Sequence, residues 1–292
     1  QVDAFNPYPA GCGHAFATSS GFPKSWRDRR AFICGPTGNL LGMDDVRAKE
    51  SGYESVNAFS FLASADEWFS PIVAEVGPDG HLWIADWYNS IIQHNPTPSL
   101  GRGGYAAQRG RGNAHINPNR DRQHGRIYRV IWDDAPKSKI KSLAKAKTKQ
   151  LVAALDSDNL FWRQTAQRLL VEGNDKNAIP ALRKRALGQG AGAIHALWTL
   201  EGLDVLDEET KRTTLISTDP AVKRNAIRAL GQAKDDEQLL YDSATLADAD
   251  LHVSCYGDLN RLVLVDRAKA AHQLAPLVQA VRLAIAIGEA SG

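Results

Sequence analysis

Ile72-Val73-Ala74-Glu75-Val76-Gly77-Pro78-Asp79-Gly80-His81-Leu82-Trp83-Ile84-Ala85-Asp86 reads as strand, turn, strand. Pro78 fixes φ at the corner and Gly80 tolerates positive φ, so two β-prone runs are joined by a tight reversal. An earlier stretch has the same form: Ala31-Phe32-Ile33-Cys34, then Gly35-Pro36-Thr37-Gly38, then Asn39-Leu40-Leu41. The turns lie 42 residues apart, and the register continues through Leu40 with Leu82 and Asp44 with Asp86. One four-stranded propeller blade occupies about 40–45 residues. In the second copy Ser90-Ile91-Ile92-Gln93 suits a third strand and Arg126–Trp132, with alternating polar and apolar residues, a fourth. Between them runs a Gly-, Asn-, Pro- and Arg-rich excursion, His94 to Gly125, of a length usually reserved for binding.

The second half has a different period. Asp158-Asn159-Leu160-Phe161-Trp162-Arg163 leads into Gln164–Val171 and stops at Gly173. Asp219-Pro220-Ala221-Val222 leads into Asn225–Leu230, Ala193–Leu200 ends at Gly202, and a weaker echo begins at Asp250. Asp before the helix, Pro at its first position and Gly past its end are helix punctuation. A unit of about 30 residues, two short helices repeated some four times, is expected to stack as a HEAT-like α-solenoid. The expected fold is thus multidomain β then α. Residues 1–136 are the C-terminal blades of a partial β-propeller, 137–150 a Lys-rich linker running into the first helix, and 151–292 the helical repeats.

Composition limits the function. Thirty-five basic residues oppose 33 acidic ones, for a net charge of +2, which argues against general attraction to nucleic acid or anionic membrane. Residues 137–150 carry six Lys and no acid, so the basic surplus is local. The Arg-Gly text at Gly101–Tyr105 and Arg109–Gly112 is one short stretch, better read as glycine-rich turns than as an RNA-binding tail. No apolar run reaches the roughly 20 residues of a membrane span. A chain that opens at Gln1, with Met43 its only methionine, reads as a processed or excised product. Three cysteines without C-x-x-C or C-x-x-C-H argue against a zinc cluster or covalently attached haem, and no metal site is assigned. Cys12 and Cys34 are a candidate disulfide in an oxidising compartment, or two small buried thiols; Cys255 reads as helix core.

Asp66-Glu67-Trp68-Phe69-Ser70-Pro71, Glu75–Gly80 and Ala85-Asp86-Trp87-Tyr88-Asn89 form a longer pattern. It continues through Ile91–Pro96, Gly110–Ala114, Arg120-Asp121 and His124–Val130. With Gly11-Cys12-Gly13-His14 and Phe32-Ile33-Cys34, this string resembles the large exported bacterial proteins classed as membrane-bound dehydrogenases, abundant in planctomycetes. The resemblance is specific across residues 11–132 and generic beyond. It implies a six-bladed propeller similar to soluble quinoprotein sugar dehydrogenases, followed by HEAT repeats and often by a c-type cytochrome domain. On it the chain holds the last blades and part of the solenoid, in a periplasmic or extracellular protein. Pyrroloquinoline quinone with calcium is the implied cofactor, and a c-type cytochrome the electron acceptor. The family's quinone-binding residues lie mainly in earlier blades and do not carry over.

Several residues are candidates for chemistry. Asp86-Trp87-Tyr88-Asn89 sits where a strand runs out into a loop; it is either blade packing or a sugar platform, aromatic faces stacking on a pyranose ring while Asp and Asn bond its hydroxyls. Asn95 and Asn113 are added as substrate ligands. His94 opens the excursion and is either bonded to loop backbone or the base that takes a hydroxyl proton while hydride leaves to the quinone. Arg120 and Arg126 either form an ion-pair knot with Asp121 and its neighbours or hold a quinone carboxylate. His14 and His124 carry the same two readings as His94, and His14, two residues from Cys12, has a spacing compatible with a metal that no further ligand supports. The expectation is an exported sugar or alcohol dehydrogenase segment. The alternatives are a non-catalytic propeller–solenoid scaffold binding glycans or a protein partner on the solenoid, and a hydrolase or lyase acting on oxidised sugars.

Overall fold

The computed structural model describes residues 11–89, 121, 123–137, 142–230, 234–243 and 247–255. The chain is a β-rich stretch followed by a helical one. It divides into two compact units, residues 1–47 with 54–140 and residues 48–53 with 141–292.

The first unit contains two antiparallel sheets. The strands β1 (Cys12–Phe16), β2 (Arg30–Gly35), β3 (Leu40–Lys49) and β4 (Gly52–Ala63) form one sheet in sequence order. The second contains β5 (Pro71–Val76), β6 (Leu82–Asp86) and β7 (Arg126–Val130). Both Gly-Pro turns close hairpins, Gly35 pairing with Leu40 and Val76 with Leu82. The left-handed residue is Asn39 in the first, at φ 53°, and Gly80 in the second, at φ 81°. The two turns therefore differ by one loop residue although their sequences align.

The matched aspartates play matched parts. Asp44 in β3 accepts from Ser55 Oγ (2.6 Å) and Asn57 Nδ2 (3.0 Å) of β4. Asp86 in β6 accepts from Arg126 Nε of β7 at 2.7 Å. Each buried carboxylate ties its hairpin to the next strand. Leu82 and Ile84 alternate with exposed Trp83, as a half-buried strand requires. They join Phe22, Phe32, Cys34, Leu41, Met43 and Ala74 in one core fed by both sheets. Gly13 lets β1 approach β5: at φ 54°, a Cβ there would lie 2.2 Å from the Ile72 carbonyl oxygen.

The predicted strand at Ser90–Gln93 lies outside the described residues. The last strand ends at Val130, two residues short of the expected Trp132. Among the described residues neither sheet closes on itself. Cys12 and Cys34 are register partners across β1 and β2, and of the two open readings the structure shows the thiols, Cys34 buried and Cys12 half-buried. Burial, then the neighbouring Cys12, pushes the Cys34 thiol up to about 12.

In the second unit, α1 (Thr148–Ala154) packs on α2 (Leu160–Glu172), α3 (Ile179–Ala186) on α4 (Gly190–Gly202), and α5 (Glu208–Leu215) on α6 (Pro220–Ala229). Contacts also run from α2 to α4 and from α4 to α6, while α7 (Lys234–Asp242) meets α5. Asp219 caps α6 through Ala221 N (2.8 Å), with Pro220 at the first position as expected. The cap of α2 is Asn159 rather than Asp158, because its Oδ1 reaches Phe161 N. Gly202 falls inside α4, and the chain leaves the helix at Leu203. Asp250 Oδ1 accepts from His252 N and Val253 N, opening the fourth echo. Cys255, half-buried, stands at the end of the described residues.

Polar bonds link groups 27 to 29 residues apart. Arg185 pairs with Asp156, Gly190 N with Asp219, His195 Nδ1 with Gln167 (2.6 Å) and Trp198 Nε1 with Asn225 (2.8 Å). A continuous core of Leu155, Leu170, Leu182, Leu197, Leu200, Leu215 and Ile227, all buried, lies inside. Each such side chain contributes about 1.5–3 kcal/mol of burial.

Candidate aromatic cleft at the open end of the second sheet

β6 ends at Asp86, and the backbone turns sharply over Trp87 and Tyr88. Tyr88 holds φ at 55°, a left-handed value that an aromatic residue adopts only under constraint. Asp86 supplies that constraint. Its Oδ1 accepts from Ser70 N and Tyr88 N, each at 2.8 Å, and its Oδ2 from Arg126 Nε at 2.7 Å. The Asp86 side chain is fully buried, so both oxygens serve the protein. It supports the site from behind and does not face a ligand.

Arg126 crosses from β7 and is doubly paired. Its Nη1 donates to Asp66 Oδ2 at 2.8 Å, and its guanidinium carbon stands 4.4 Å from the Tyr88 ring centre. Burial opposes the charge, but the bonds to Asp66 and Asp86 outweigh it and raise the arginine's pKa. Nη2 is buried with no hydrogen-bond partner among the described residues. Trp68 also stacks on the Tyr88 ring, ring centres 5.3 Å apart and planes 30° apart. Trp68 is placed by Asp66, whose Oδ1 accepts from Trp68 N at 3.0 Å. That bond, then Arg126, holds the Asp66 carboxyl below its ordinary range.

A third wall comes from the approach to β7. Asp121 accepts from Gln123 N (2.7 Å) and His124 N (3.2 Å), forming a turn that presents the His124 ring. The Asp121 Oδ2 also takes His124 Nδ1. An ionised carboxylate only accepts, so Nδ1 carries a proton, and in the neutral ring Nε2 is the acceptor. Asp121 is held below its ordinary value, first by Gln123 N and, against partial burial, by His124. The His124 edge meets Tyr88 at 6.2 Å, and its side chain is exposed. Asn89, buried, ties the turn down through Nδ2 to the Asp121 carbonyl at 3.3 Å.

Trp68, Tyr88, Asp121, His124, Gly125 and Arg126 together line an open cleft of about 490 Å³. Of the candidate residues, Tyr88, His124 and Arg126 reach this cleft, while Asp86 and Asn89 brace it. Trp87, 38% exposed, does not line it. His94, Asn95, Asn113 and Arg120 lie outside the described residues. Arg126 forms the ion-pair knot, with Asp66 and Asp86 as partners rather than Asp121. Asp66, Trp68, Asp121 and His124 complete the site. Trp68 stood within the recognised Asp66–Pro71 run without a role, and Asp121-x-x-His124 is a spacing at which a turn aspartate can hold a histidine ring.

Pyrroloquinoline quinone carries three carboxylates. The cleft and its supports offer Asp66, Asp86 and Asp121 against a single arginine already paired twice. Like charges so close disfavour an anionic ligand. The quinone does not fit this cleft.

No curated protein and no solved structure matches this chain. A family model described as a domain of unknown function (DUF7133) matches residues 1–134, the part of the chain that holds both sheets and the aromatic cleft.

Proposed function

We propose that this chain is the glycan-binding propeller-and-solenoid part of an exported protein of the dehydrogenase-like type, and that the Trp68 cleft holds a neutral sugar ring. The observation carrying the reading is the stacked Trp68–Tyr88 pair beside His124 and Asp121. Tyr88 already contacts both Trp68 and Arg126 and is not taken as the platform. It instead stiffens Trp68, whose outer face is the platform. Sugars bind such faces through their axial C–H groups, while polar side chains at the rim take hydroxyls. His124 Nε2 is the acceptor at that rim. The acidic surroundings favour an uncharged ring over a uronate.

Two hairpin sheets built on one 42-residue spacing and sharing one core support the blade reading. Side-chain links spanning about 29 residues, as in Arg185–Asp156 and Gly190–Asp219, support the HEAT-like solenoid, which offers a surface for a protein partner.

The Asp121–His124 pair favours a second reading. A histidine oriented by a carboxylate inside a cleft is the usual arrangement of a general base. A sugar or alcohol dehydrogenase would use such a base, with quinone, calcium and cytochrome held elsewhere. The quinone-assisted roles of His94 and Arg120 stay with that reading.

The test is a tryptophan-fluorescence titration of the full chain with neutral oligosaccharides chosen from a glycan array. Saturable quenching is expected, weakened about tenfold or more in Trp68→Ala and unchanged in Trp162→Phe. Absence of saturable binding across the array, or binding indifferent to Trp68, would refute the reading. Sugar-dependent dye reduction by the protein loaded with quinone would promote the dehydrogenase.

A further inference from the structure

Away from the cleft, three arginines converge on one carboxylate. The β2–β3 register sets Arg30 opposite Asp45. The Asp45 side chain is only 4% exposed. Its carboxylate receives Arg29 Nε and Nη2, each at 3.0 Å, and Arg47 Nε at 2.7 Å, while Arg30 Nε stands 3.8 Å away. One negative charge thus gathers three positive ones. Asp44, next in the strand, turns to the other face and is spent on Ser55 and Asn57. Arg29 and Arg47 are half-exposed, so their remaining N–H groups face solvent. Arg30 Nε is buried and has no acceptor within hydrogen-bond range among the described residues.

Such an arrangement is preorganised. Asp45 fixes the Arg29 and Arg47 forks by hydrogen bonds and keeps Arg30 within ion-pair range, so less side-chain freedom is left to lose when a ligand arrives. Two uncompensated positive charges held together repel one another until a counter-charge joins them. A tetrahedral dianion has oxygens enough to bridge three forks, and each guanidinium offers it charge-assisted bonds. A ligand acceptor near Arg30 would also satisfy a donor that is otherwise costly to bury.

We propose that Arg29, Arg30 and Arg47, ordered by Asp45, form a binding site for a tetrahedral oxyanion, a phosphate or sulfate group. The group arrives either free or as an ester on a larger molecule. The site stands apart from the Trp68 cleft and does not depend on the sugar reading.

The experiment measures thermal unfolding and calorimetric binding of the full chain at constant ionic strength, chloride being exchanged for inorganic phosphate or sulfate. A second arm uses a sulfated oligosaccharide and its desulfated form. The expected result is a saturable rise in melting temperature with the oxyanion, weakened about tenfold or more by Arg47→Gln and unchanged by Arg168→Gln on α2. Arg47 is exposed, so its replacement leaves the fold intact, and Arg29→Lys serves as a second variant. Tighter binding of the sulfated sugar than of the free ion assigns the ester source; equal or weaker binding assigns the free ion. No saturable response above chloride, or an identical response in Arg47→Gln and Arg29→Lys, would overturn the proposal.

Discussion

Arg126 Nε reaches Asp86 Oδ2 at 2.7 Å, and the two residues are register partners where β6 meets β7. This bond joins the end of one strand to the start of the next, and the same aspartate pins the strained Tyr88 backbone. Asp86 therefore governs the cleft although it does not line it. Asp86→Ala is expected to destabilise the chain by about 2–3 kcal/mol, because it takes one partner from a partly buried arginine and frees two backbone donors. Asp66→Ala, at the half-exposed end of the same arginine, should cost far less. Urea denaturation of the two variants checks the order; equal losses would mean that Asp66 anchors the arginine as strongly.

Gly13→Ala should be among the most damaging single-methyl changes in the β-rich unit. The added carbon would strike the Ile72 carbonyl at 2.2 Å, and φ 54° disfavours any side chain. A loss of about 3 kcal/mol or more is expected in chemical unfolding. A variant as stable as the parent would show that β1 and β5 do not approach as closely as described.

The His195 imidazole sets a pH dependence of stability. Burial, reinforced by Arg163, lowers its pKa to about 4. Between that value and the ordinary one of about 6.5, the unfolded chain binds the proton and the folded chain does not. Its contribution is complete above about pH 6.5 and is lost as pH falls toward 4. Allowing for partial solvent access, about 2 kcal/mol should disappear across that window. His195→Gln should flatten this part of the stability profile; an unchanged slope would contradict the account.

Cys12 and Cys34 are expected to bridge when the protein is exposed to a disulfide oxidant such as oxidised glutathione. Register partners in an antiparallel pair have Cα atoms about 4.5–5.5 Å apart, within disulfide reach. Intact mass should fall by the two thiol hydrogens, and unfolding should shift by about 3 kcal/mol toward stability. Two titratable thiols persisting at these positions after oxidation would exclude the bridge.

Much of the strand and helix order is legible in the sequence because the punctuation is local. The Gly-Pro turns announce two hairpins, and Asp219-Pro220 announces α6. β4 is not announced: its residues are exposed on both faces from Val56 to Ser60, so no alternation of apolar and polar side chains marks it. β1 is short, bulged and built around Gly13, which no propensity assigns to a strand. The cleft is half legible. Tyr88 and Arg126 belong to the strand ends that the pattern picks out. Trp68 reaches Tyr88 from the connection before β5, and Asp121–His124 from a turn far along the chain. Those meetings are decided by tertiary packing, which no spacing in the sequence encodes.

The central claim is that Trp68 offers a sugar platform beside the His124 acceptor. A crystal structure of the full chain with its best-bound neutral oligosaccharide tests it most directly. The account predicts a sugar ring lying flat on the outer face of Trp68, with one hydroxyl within hydrogen-bond distance of His124 Nε2. A sugar bound elsewhere, with Trp68 and His124 untouched, would contradict it.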